Sequence, residues 1–249
     1  MYHFISGRRG KRFSCYHRLS LEPIPTAGRR FTGARGLFIT FEGPEGSGKS
    51  TQLRSLAARL RREGWGVLET AEPGGTPIGL QIRRVLLDAN NRELRPTTEL
   101  LLMFAARAQN VDQWILPALA DGQIVLCDRF TDSTLVYQGV ARGLGADVVY
   151  ELDRIACRGL APDLTLVIDI DAEAGLARAR LRNREENAIE TRMEDQAIGF
   201  HARVREAYRR LAEDEPERVR LIEGDRPMEK VAEAVWAEIQ PLLVRRASP

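Results

Sequence analysis

The sequence predicts an α/β fold in which a five-stranded parallel sheet carries helices on both faces. The predicted strands are short apolar runs that lack the polar alternation of a strand with one face in solvent. They also alternate along the chain with segments whose apolar residues recur at helical spacing. Strands that alternate with helices form β-α-β units, and such units produce a mainly parallel sheet.

The strands are placed on apolar runs bounded by glycine, proline or polar residues. The first reads Leu-Phe-Ile-Thr-Phe at residues 37–41, and its β-branched and aromatic content favours a buried strand. The other four strands are predicted at residues 67–70, 124–127, 164–168 and 219–222.

The helices are placed on the periodicity of their apolar residues. After the first strand, Leu53, Leu56, Ala57 and Leu60 occupy one face of a helix, and Gly64 is a plausible stop. Further helices are predicted at residues 78–87, 98–119, 148–157, 172–182, 198–211 and 228–243.

The composition is that of a soluble globular chain. Of 249 residues, 43% are hydrophobic and 29% are charged, which suits one large domain or a domain with a short extra segment. The net charge of +2 gives no bulk electrostatic case for a nucleic-acid partner. No apolar run approaches the roughly 20 residues of a membrane span. Three widely spaced cysteines argue against a disulfide framework or a zinc site, and we expect a cytoplasmic protein.

Residues 1–35 differ from the rest of the chain. They contain eight lysines and arginines against one acid, Glu22, and show no clear periodicity. We expect a poorly ordered basic extension that precedes a single domain at residues 36–249. An Arg-rich, acid-poor segment resembles an organelle transit peptide. A misplaced start codon and a tail without function remain alternatives.

A glycine-rich loop follows the first strand. Residues 43–50 read Gly-Pro-Glu-Gly-Ser-Gly-Lys-Ser and match the pattern G-x-x-x-x-G-K-[ST], between a buried strand and an amphipathic helix. Backbone N–H groups of such a P-loop surround phosphates, its lysine reaches the transferred group and its hydroxyl binds Mg²⁺. The sequence therefore predicts a three-layer P-loop NTPase fold. The predicted ATP-binding residues are Gly43, Pro44, Glu45, Gly46, Ser47, Gly48, Lys49, Ser50 and Thr51.

Polar residues follow two other strands at the same predicted edge of the sheet, because Glu72 and Asp128 come just after the second and third strands. A carboxylate and a guanidinium, such as those of Asp128 and Arg129, cost free energy at the end of a buried strand unless both have binding partners. We predict that Ser50 and Asp128 hold Mg²⁺, with orientation of the acceptor phosphate as another possible role of Asp128, and that Arg129 binds phosphate oxygens through its two-pronged guanidinium. A simple ion pair at the strand end is the alternative.

The P-loop alone fits GTPases, ATPases and small-molecule kinases, although the chain has no Asn-Lys-x-Asp guanine-reading motif. Three blocks are more specific: FEGPEGSGKST at residues 41–51, EPGGT at 72–76 and DRFTDSTLVYQG at 128–139. On these blocks the chain, from about residue 36 to 243, resembles the bacterial thymidylate kinases. The resemblance implies transfer of the ATP γ-phosphoryl group to dTMP, with Mg²⁺ as cofactor, by a homodimer.

The resemblance also assigns an acceptor pocket. It implies that Glu45 contacts the 3′-hydroxyl of dTMP, although a solvated loop acid is the alternative, and that Arg107 bonds the thymine edge. Either Met103 or Phe104 packs on the base, and Arg83 is either near the acceptor phosphate or an exposed helix arginine. Ser133 is expected to support its loop. The full predicted dTMP-binding set is Glu45, Glu72, Arg83, Met103, Phe104, Arg107, Arg129, Ser133, Tyr137 and Gln138.

An Arg-rich lid is predicted at about residues 178–196. Between Gly43 and Lys49 the P-loop has no arginine, so the lid must supply a cation for the developing charge. Within the lid, Arg182 and Arg192 are the favoured cations, and a solvated basic face is the alternative. Glycines at 175 and 199 are candidate hinges. The predicted catalytic residues are Lys49, Asp128, Arg129, Arg182 and Arg192.

Two departures from the family pattern and two competing functions stay open. Many members have arginine before EPGG, where this chain has Ala71, and the lid segment at residues 183–191 looks longer than in close relatives. The competitors are another nucleotide or nucleoside kinase of the same fold, and a regulatory P-loop protein that binds nucleotide without an acceptor.

Overall fold

The computed structural model describes residues 35–185 and 190–247, so the prediction for residues 1–34 lies outside it. All five strands of the sheet are parallel, in the order β2-β3-β1-β4-β5. The strands are β1 (Leu37–Glu42), β2 (Val67–Ala71), β3 (Ile124–Asp128), β4 (Leu164–Asp169) and β5 (Val219–Glu223). The predicted parallel sheet is confirmed.

Helices cover both faces of this sheet. They are α1 (Lys49–Arg62), α2 (Pro77–Leu87), α3 (Pro96–Asn110), α4 (Leu116–Ala120), α5 (Thr131–Thr134), α6 (Ala146–Ala156), α7 (Ala172–Glu185), α8 (Ile198–Asp214) and α9 (Met228–Ala247). In the described ranges, none of the helices has both the length and the apolar character of a membrane span.

The side chains of β1 show why its sequence lacks polar alternation. Leu37, Ile39 and Phe41 pack in the core beneath α1 and α9, whereas Phe38 lies in the second core against α3, α4 and α6. Because successive side chains of a strand point to opposite faces, a strand with a core on each side carries apolar side chains on both faces.

Two features of the helical layer were not predicted. The predicted helix at 98–119 is α3 and α4 joined by a π-helical turn, Val111–Ile115. Sequence analysis also missed α5 and the π-helical segment Leu135–Ala141 that follows it. A π-helix does not follow the 3.6-residue period on which helix prediction depends, and the polar Thr-Asp-Ser-Thr start reads as a loop.

The parallel arrangement brings the carboxyl ends of three strands together. Asp128, the last residue of β3, is level with Phe41 in β1 and with Ala71 in β2. The P-loop, the Glu72 turn and the segment after β3 therefore leave the sheet side by side. The site is built at this edge.

Candidate active site

A cavity of about 470 Å³ opens at the carboxyl edge of the sheet, and most of the predicted site residues line it. Those residues are Glu45, Gly46, Gly48, Lys49, Ser50, Thr51, Glu72, Arg83, Met103, Arg107, Asp128, Arg129, Ser133, Tyr137, Gln138 and Arg182. Gly43, Pro44, Ser47, Phe104 and Arg192 are not in its lining. Residues that sequence analysis did not select also line it, among them Arg54, Thr134, Met193 and Glu194.

Gly43 shapes the P-loop without facing the cavity. Its φ of +130° is a conformation that side-chain-bearing residues rarely adopt. A Cβ atom at this position would also lie 2.4 Å from the carbonyl oxygen of Ile168 in β4. The loop can therefore turn away from β1 only with glycine at this point.

Gly46 brings the P-loop against α7, backbone to backbone. A Cβ on Gly46 would lie 2.0 Å from the Gly175 carbonyl oxygen, and a Cβ on Gly175 would lie 2.4 Å from the Glu45 carbonyl oxygen. Gly175 lies inside α7, so this close approach, rather than a hinge, accounts for glycine there. The first turns of the lid helix are packed directly on the phosphate loop.

Lys49 is folded back onto the P-loop. Its Nζ donates to the Pro44 carbonyl oxygen at 2.7 Å and to Ser47 Oγ at 3.3 Å. Burial, together with the neighbouring Arg129 guanidinium, lowers the pKa of Lys49 to about 8. Pro44 and Ser47 therefore contribute by holding the lysine at the cavity wall.

Ser50 and Asp128 meet across the base of the cavity, where the Ser50 hydroxyl donates to Asp128 Oδ2. A hydroxyl and a carboxylate are hard oxygen ligands, which suit Mg²⁺. The residues that the structure describes contain no group of three His, Cys, Asp or Glu side chains fit to hold a metal alone. That composition is compatible with Mg²⁺, which is usually held by one or two protein ligands plus phosphates and water.

Arg129 is held in a strained conformation at the end of β3. Its φ is +71°, in the left-handed region that few residues other than glycine occupy. Its guanidinium donates to Ser133 Oγ at 3.1 Å and to Glu45 Oε1 at 3.4 Å, and lies 4.9 Å from the Tyr137 ring centre. Arg129 is thus fixed between the P-loop and the helical segment after β3.

Glu45 is a buried acceptor of hydrogen bonds, and a solvated loop acid is the wrong description of it. Tyr137 OH donates to its Oε1 at 2.6 Å, and His201 Nδ1 lies 3.1 Å from its Oε2. Burial alone would raise the pKa of Glu45, but the His201 hydrogen bond and the charges of Arg129 and Lys49 lower it to about 2. Glu45 is therefore a carboxylate across the working pH range.

A buried ion pair forms part of the cavity wall. Arg107 Nε lies 2.5 Å from Glu72 Oε2, and the two side chains are 2% and 1% exposed. The same guanidinium donates to Thr134 Oγ at 2.9 Å, and Asn110 donates to Glu72 at 3.1 Å. Burial raises the pKa of Glu72 despite the Arg107 charge beside it. Both residues line the cavity, so they form a rigid polar wall there.

The structure separates Met103 from Phe104. Met103 lines the cavity, while Phe104 is only 4% exposed and belongs to the core beneath α3. Consecutive helical residues point about 100° apart, so one of the pair faces away from the cavity. Packing of Phe104 on a bound base is therefore a wrong prediction for this structure, and Met103 remains.

The lid residues Arg182 and Arg192 are placed very differently. Arg182 lines the cavity, whereas Arg192 is buried. Its Nε donates to the Leu86 carbonyl oxygen at 2.5 Å, and a terminal nitrogen lies 2.6 Å from Glu99 Oε2. Glu99 attracts the arginine into the protein, so Arg192 does not reach the cavity in this conformation.

Glu99 also binds the helical segment that carries the predicted acceptor residues. Its carboxylate accepts from Gln138 Nε2 at 2.7 Å and from Arg142 at 3.3 Å. Arg83 connects the lid to the turn after β2, since it pairs with Glu190 at 2.8 Å and donates to the Pro73 carbonyl oxygen at 3.0 Å. The far limb of the lid, by which we mean residues 190–196, is thus bonded to the walls of the cavity.

Comparison with known proteins identifies the family. The family model described as thymidylate kinase matches residues 41–235. A thymidylate kinase of Thermomicrobium roseum is 51% identical over 213 residues, which cover 85% of this chain and 99% of that protein. The chain belongs to the thymidylate kinase family. It is an ATP-dependent nucleoside monophosphate kinase that phosphorylates dTMP to dTDP.

Other thymidylate kinases agree with this membership. The enzyme of Pelobacter propionicus is 50% identical over 205 residues, which cover 82% of this chain and 94% of that protein. The crystal structure of a thymidylate kinase from Ehrlichia chaffeensis superposes with a TM-score of 0.66 at 32% identity, covering 83% of this chain and 99% of that chain. The predicted family and fold are confirmed.

Glu42 is a buried residue that supports the wall of the kinase site, and sequence analysis missed it. It is buried at the end of β1 and accepts from the Phe130 N–H at 2.7 Å, from Ser133 Oγ at 2.5 Å and from Tyr208 OH at 2.8 Å. Burial, with Asp132 nearby, raises the pKa of Glu42 to about 7. A carboxylate directly after an apolar strand was the available signal.

Glu42 gives a prediction about stability and pH. Because its pKa is about 7 in the folded protein and 4.5 as a free side chain, the folded state holds a proton that the unfolded chain has lost between these values. Its contribution to the free energy of unfolding is present below pH 4.5 and is lost as the pH rises through about 7, and amounts to about 3 kcal/mol. Glu42→Gln, which resembles the protonated acid, should remove this dependence.

The measurement is urea unfolding of the wild type and the variant at about pH 4.5 and about pH 8. From about pH 4.5 to about pH 8, the free energy of unfolding of the wild type should fall relative to that of Glu42→Gln. As a control, Glu206→Gln alters an exposed carboxylate, and its difference from wild type should stay constant. Parallel curves for the wild type and Glu42→Gln would contradict the assignment.

Proposed function

We propose that this kinase transfers the γ-phosphoryl group of ATP in line to dTMP, with Mg²⁺ and without a covalent intermediate. The single observation that carries the proposal is the shared cavity, whose lining includes both the P-loop and the buried Glu72–Arg107 pair. A protein that only held nucleotide would need no second polar region in the cavity wall. Two substrates in one cavity allow direct transfer, and catalysis then depends on positioning and charge.

At the donor end, the P-loop N–H groups and the start of α1 suit the ATP phosphates. Lys49 would leave the Pro44 carbonyl oxygen and bind the transferred group. The Ser50 hydroxyl and Asp128 would hold Mg²⁺, which neutralises charge on the phosphates when bound. Their mutual hydrogen bond supports this role because it places both oxygens at the base of the loop.

On the acceptor side, each proposed role falls to a residue that lines the cavity. Arg129, beside the P-loop, binds the acceptor phosphate. Glu45 accepts a hydrogen bond from the 3′-hydroxyl. Arg107 bonds the thymine edge, while Met103 packs its thioether on the base. Gln138 lines the same wall, held in place by Glu99.

The lid cation is assigned to Arg182, because it lines the cavity and is half-exposed. Arg192 would reach the phosphates only if its bonds to Glu99 and the Leu86 carbonyl oxygen broke. We therefore assign Arg192 an anchoring role for the far limb of the lid. Closure of the lid over both substrates would exclude water and limit ATP hydrolysis.

A homodimer in the cytoplasm is part of the proposal. Exposed apolar side chains lie on α2, α3 and α6, which pack against one another in that order. Leu101 in α3 is 52% exposed and Ile155 in α6 is 67% exposed. Exposed apolar side chains on neighbouring helices support an interface between copies. Cys127 and Cys157 are unpaired and buried, as suits a reducing compartment.

The test is a steady-state assay of ATP with dTMP, dUMP, dGMP, dCMP or thymidine as acceptor. We expect dTMP to have the highest kcat/KM, with the reaction dependent on Mg²⁺. Comparable turnover of another acceptor would contradict the dTMP specificity. Binding of ATP without binding of dTMP in a calorimetric titration would favour a regulatory nucleotide-binding protein.

A further inference from the structure

His201 is a buried histidine that the proposed reaction does not use. It lies in the first turns of α8, which begins just after the lid, and its side chain is 1% exposed. Its Nδ1 is 3.1 Å from Glu45 Oε2, and the Phe200 ring packs against it edge-on at 5.5 Å. No other histidine lies in residues 35–185 or 190–247.

The direction of this hydrogen bond follows from the state of Glu45. An ionised carboxylate only accepts hydrogen bonds, and Glu45 is ionised, so Nδ1 carries the proton and donates. The other ring nitrogen, Nε2, is buried and has no hydrogen-bond partner among the described residues. The bond to Glu45 is therefore the one hydrogen bond of the ring within that part of the chain.

The two oxygens of Glu45 are occupied unequally. Each carboxylate oxygen accepts about two hydrogen bonds. At Oε1 both positions are taken, by Tyr137 OH at 2.6 Å and by Arg129 at 3.4 Å. At Oε2 the single donor is His201, within the described residues. One acceptor position on Glu45 thus stays open, and it lies on the oxygen that His201 holds.

We propose that His201 is a positioning residue that fixes Oε2 of Glu45 as the acceptor of the substrate's 3′-hydroxyl. The inference rests on the proposed function, in which Glu45 contacts that hydroxyl. Together with the Tyr137 and Arg129 bonds to Oε1, the His201 bond to Oε2 keeps the carboxylate from rotating about its Cγ–Cδ bond, so the open position is held in place before the acceptor sugar arrives. It thereby favours nucleoside monophosphates that carry a 3′-hydroxyl over those that lack it.

The experiment compares two enzymes with two acceptors, dTMP and 3′-deoxythymidine monophosphate. For His201→Ala we expect the KM for dTMP to rise roughly tenfold, with a smaller change in kcat, because a charge-assisted hydrogen bond no longer orients Glu45. The KM for the 3′-deoxy acceptor should be the same in both enzymes. Equal effects on the two acceptors would overturn the proposal, since they would indicate general damage to the site.

Two further variants keep the test decisive if His201→Ala folds poorly. In His201→Asn the amide nitrogen takes the place of Nδ1, so preference for the 3′-hydroxyl should return. In His201→Gln the amide nitrogen takes the place of Nε2, so the preference should stay low. Wild-type preference in both variants would overturn the proposal.

Arg210→Ala changes an exposed residue on the same helix and should leave both KM values unchanged. Failure of the proposed function can be distinguished from failure of this inference, because it would appear as a wild-type enzyme that does not turn over dTMP. Calorimetric binding of the two acceptors to the wild type and His201→Ala would then still decide the role of His201. Equal affinities for both acceptors in both enzymes would overturn it.

Discussion

Lys49→Ala is expected to lower kcat by at least about a hundredfold, because the variant lacks the cation that we propose stabilises charge on the transferred group. Lys49 is buried at the cavity wall, where the low dielectric strengthens its attraction for phosphate oxygens. Its pKa of about 8 keeps it mostly protonated near neutral pH. Bound polyphosphate would favour the charged form further. The KM values should change less than kcat, since the loss falls mainly on the transition state.

Initial-rate kinetics and a melting curve are needed together. A melting temperature near that of the wild type would show that the loss is catalytic. Lys230→Ala is the matched control, because Lys230 is an exposed lysine paired with Glu233 in α9. That control should retain wild-type kcat. A kcat for Lys49→Ala within about threefold of the wild type would contradict the P-loop assignment.

Arg107→Met is expected to lower the free energy of unfolding by about 3–5 kcal/mol, because it leaves Glu72 as an unpaired acid in a buried site. Both partners are almost fully buried, so solvent cannot compensate for the lost charge. Burial already raises the pKa of Glu72, and without Arg107 its carboxylate would be more costly still. The loss is a large share of the 5–15 kcal/mol that stabilises a typical domain.

Urea unfolding of two further variants separates the effect of the charge from the effect of packing. The double variant Glu72→Gln/Arg107→Met should lose less stability than Arg107→Met, because no unpaired charge remains. Arg61→Met breaks an exposed ion pair with Glu69 and should change stability by less than about 1 kcal/mol. If Arg107→Met lost no more than Arg61→Met, the buried pair would not have the predicted importance.

Much of the architecture was predictable because it follows from local patterns. The five apolar runs became five parallel strands, and the G-x-x-x-x-G-K-[ST] loop became the turn between β1 and α1. Parallel strands end at one edge, so the meeting of Glu72 with Asp128 at one cavity also followed from sequence. The helical segment from 131 to 141 could not be predicted in this way, because its π-helical part departs from the 3.6-residue period on which helix prediction depends.

Side-chain direction was the limit for the site. The sequence places Met103 and Phe104 one residue apart, and only the rotation of α3 decides which faces the cavity. Arg192 looked like a free lid cation because its partner, Glu99, is 93 residues away in the chain. His201 and Glu42 were missed for the same reason. Their importance comes from contacts with residues far away in the sequence.

The backbone contact between Gly46 and Gly175 restricts how this family member can vary. Each position faces a carbonyl oxygen of the other segment, so a methyl group at either one would collide with main chain that has no rotamer to escape into. A second substitution in the opposite glycine cannot relieve the first, because the obstacle is backbone on both sides. Random mutagenesis should therefore recover neither position with a side chain, singly or as a pair. The P-loop and the start of α7 are therefore held together by main-chain contact that leaves no room for a side chain.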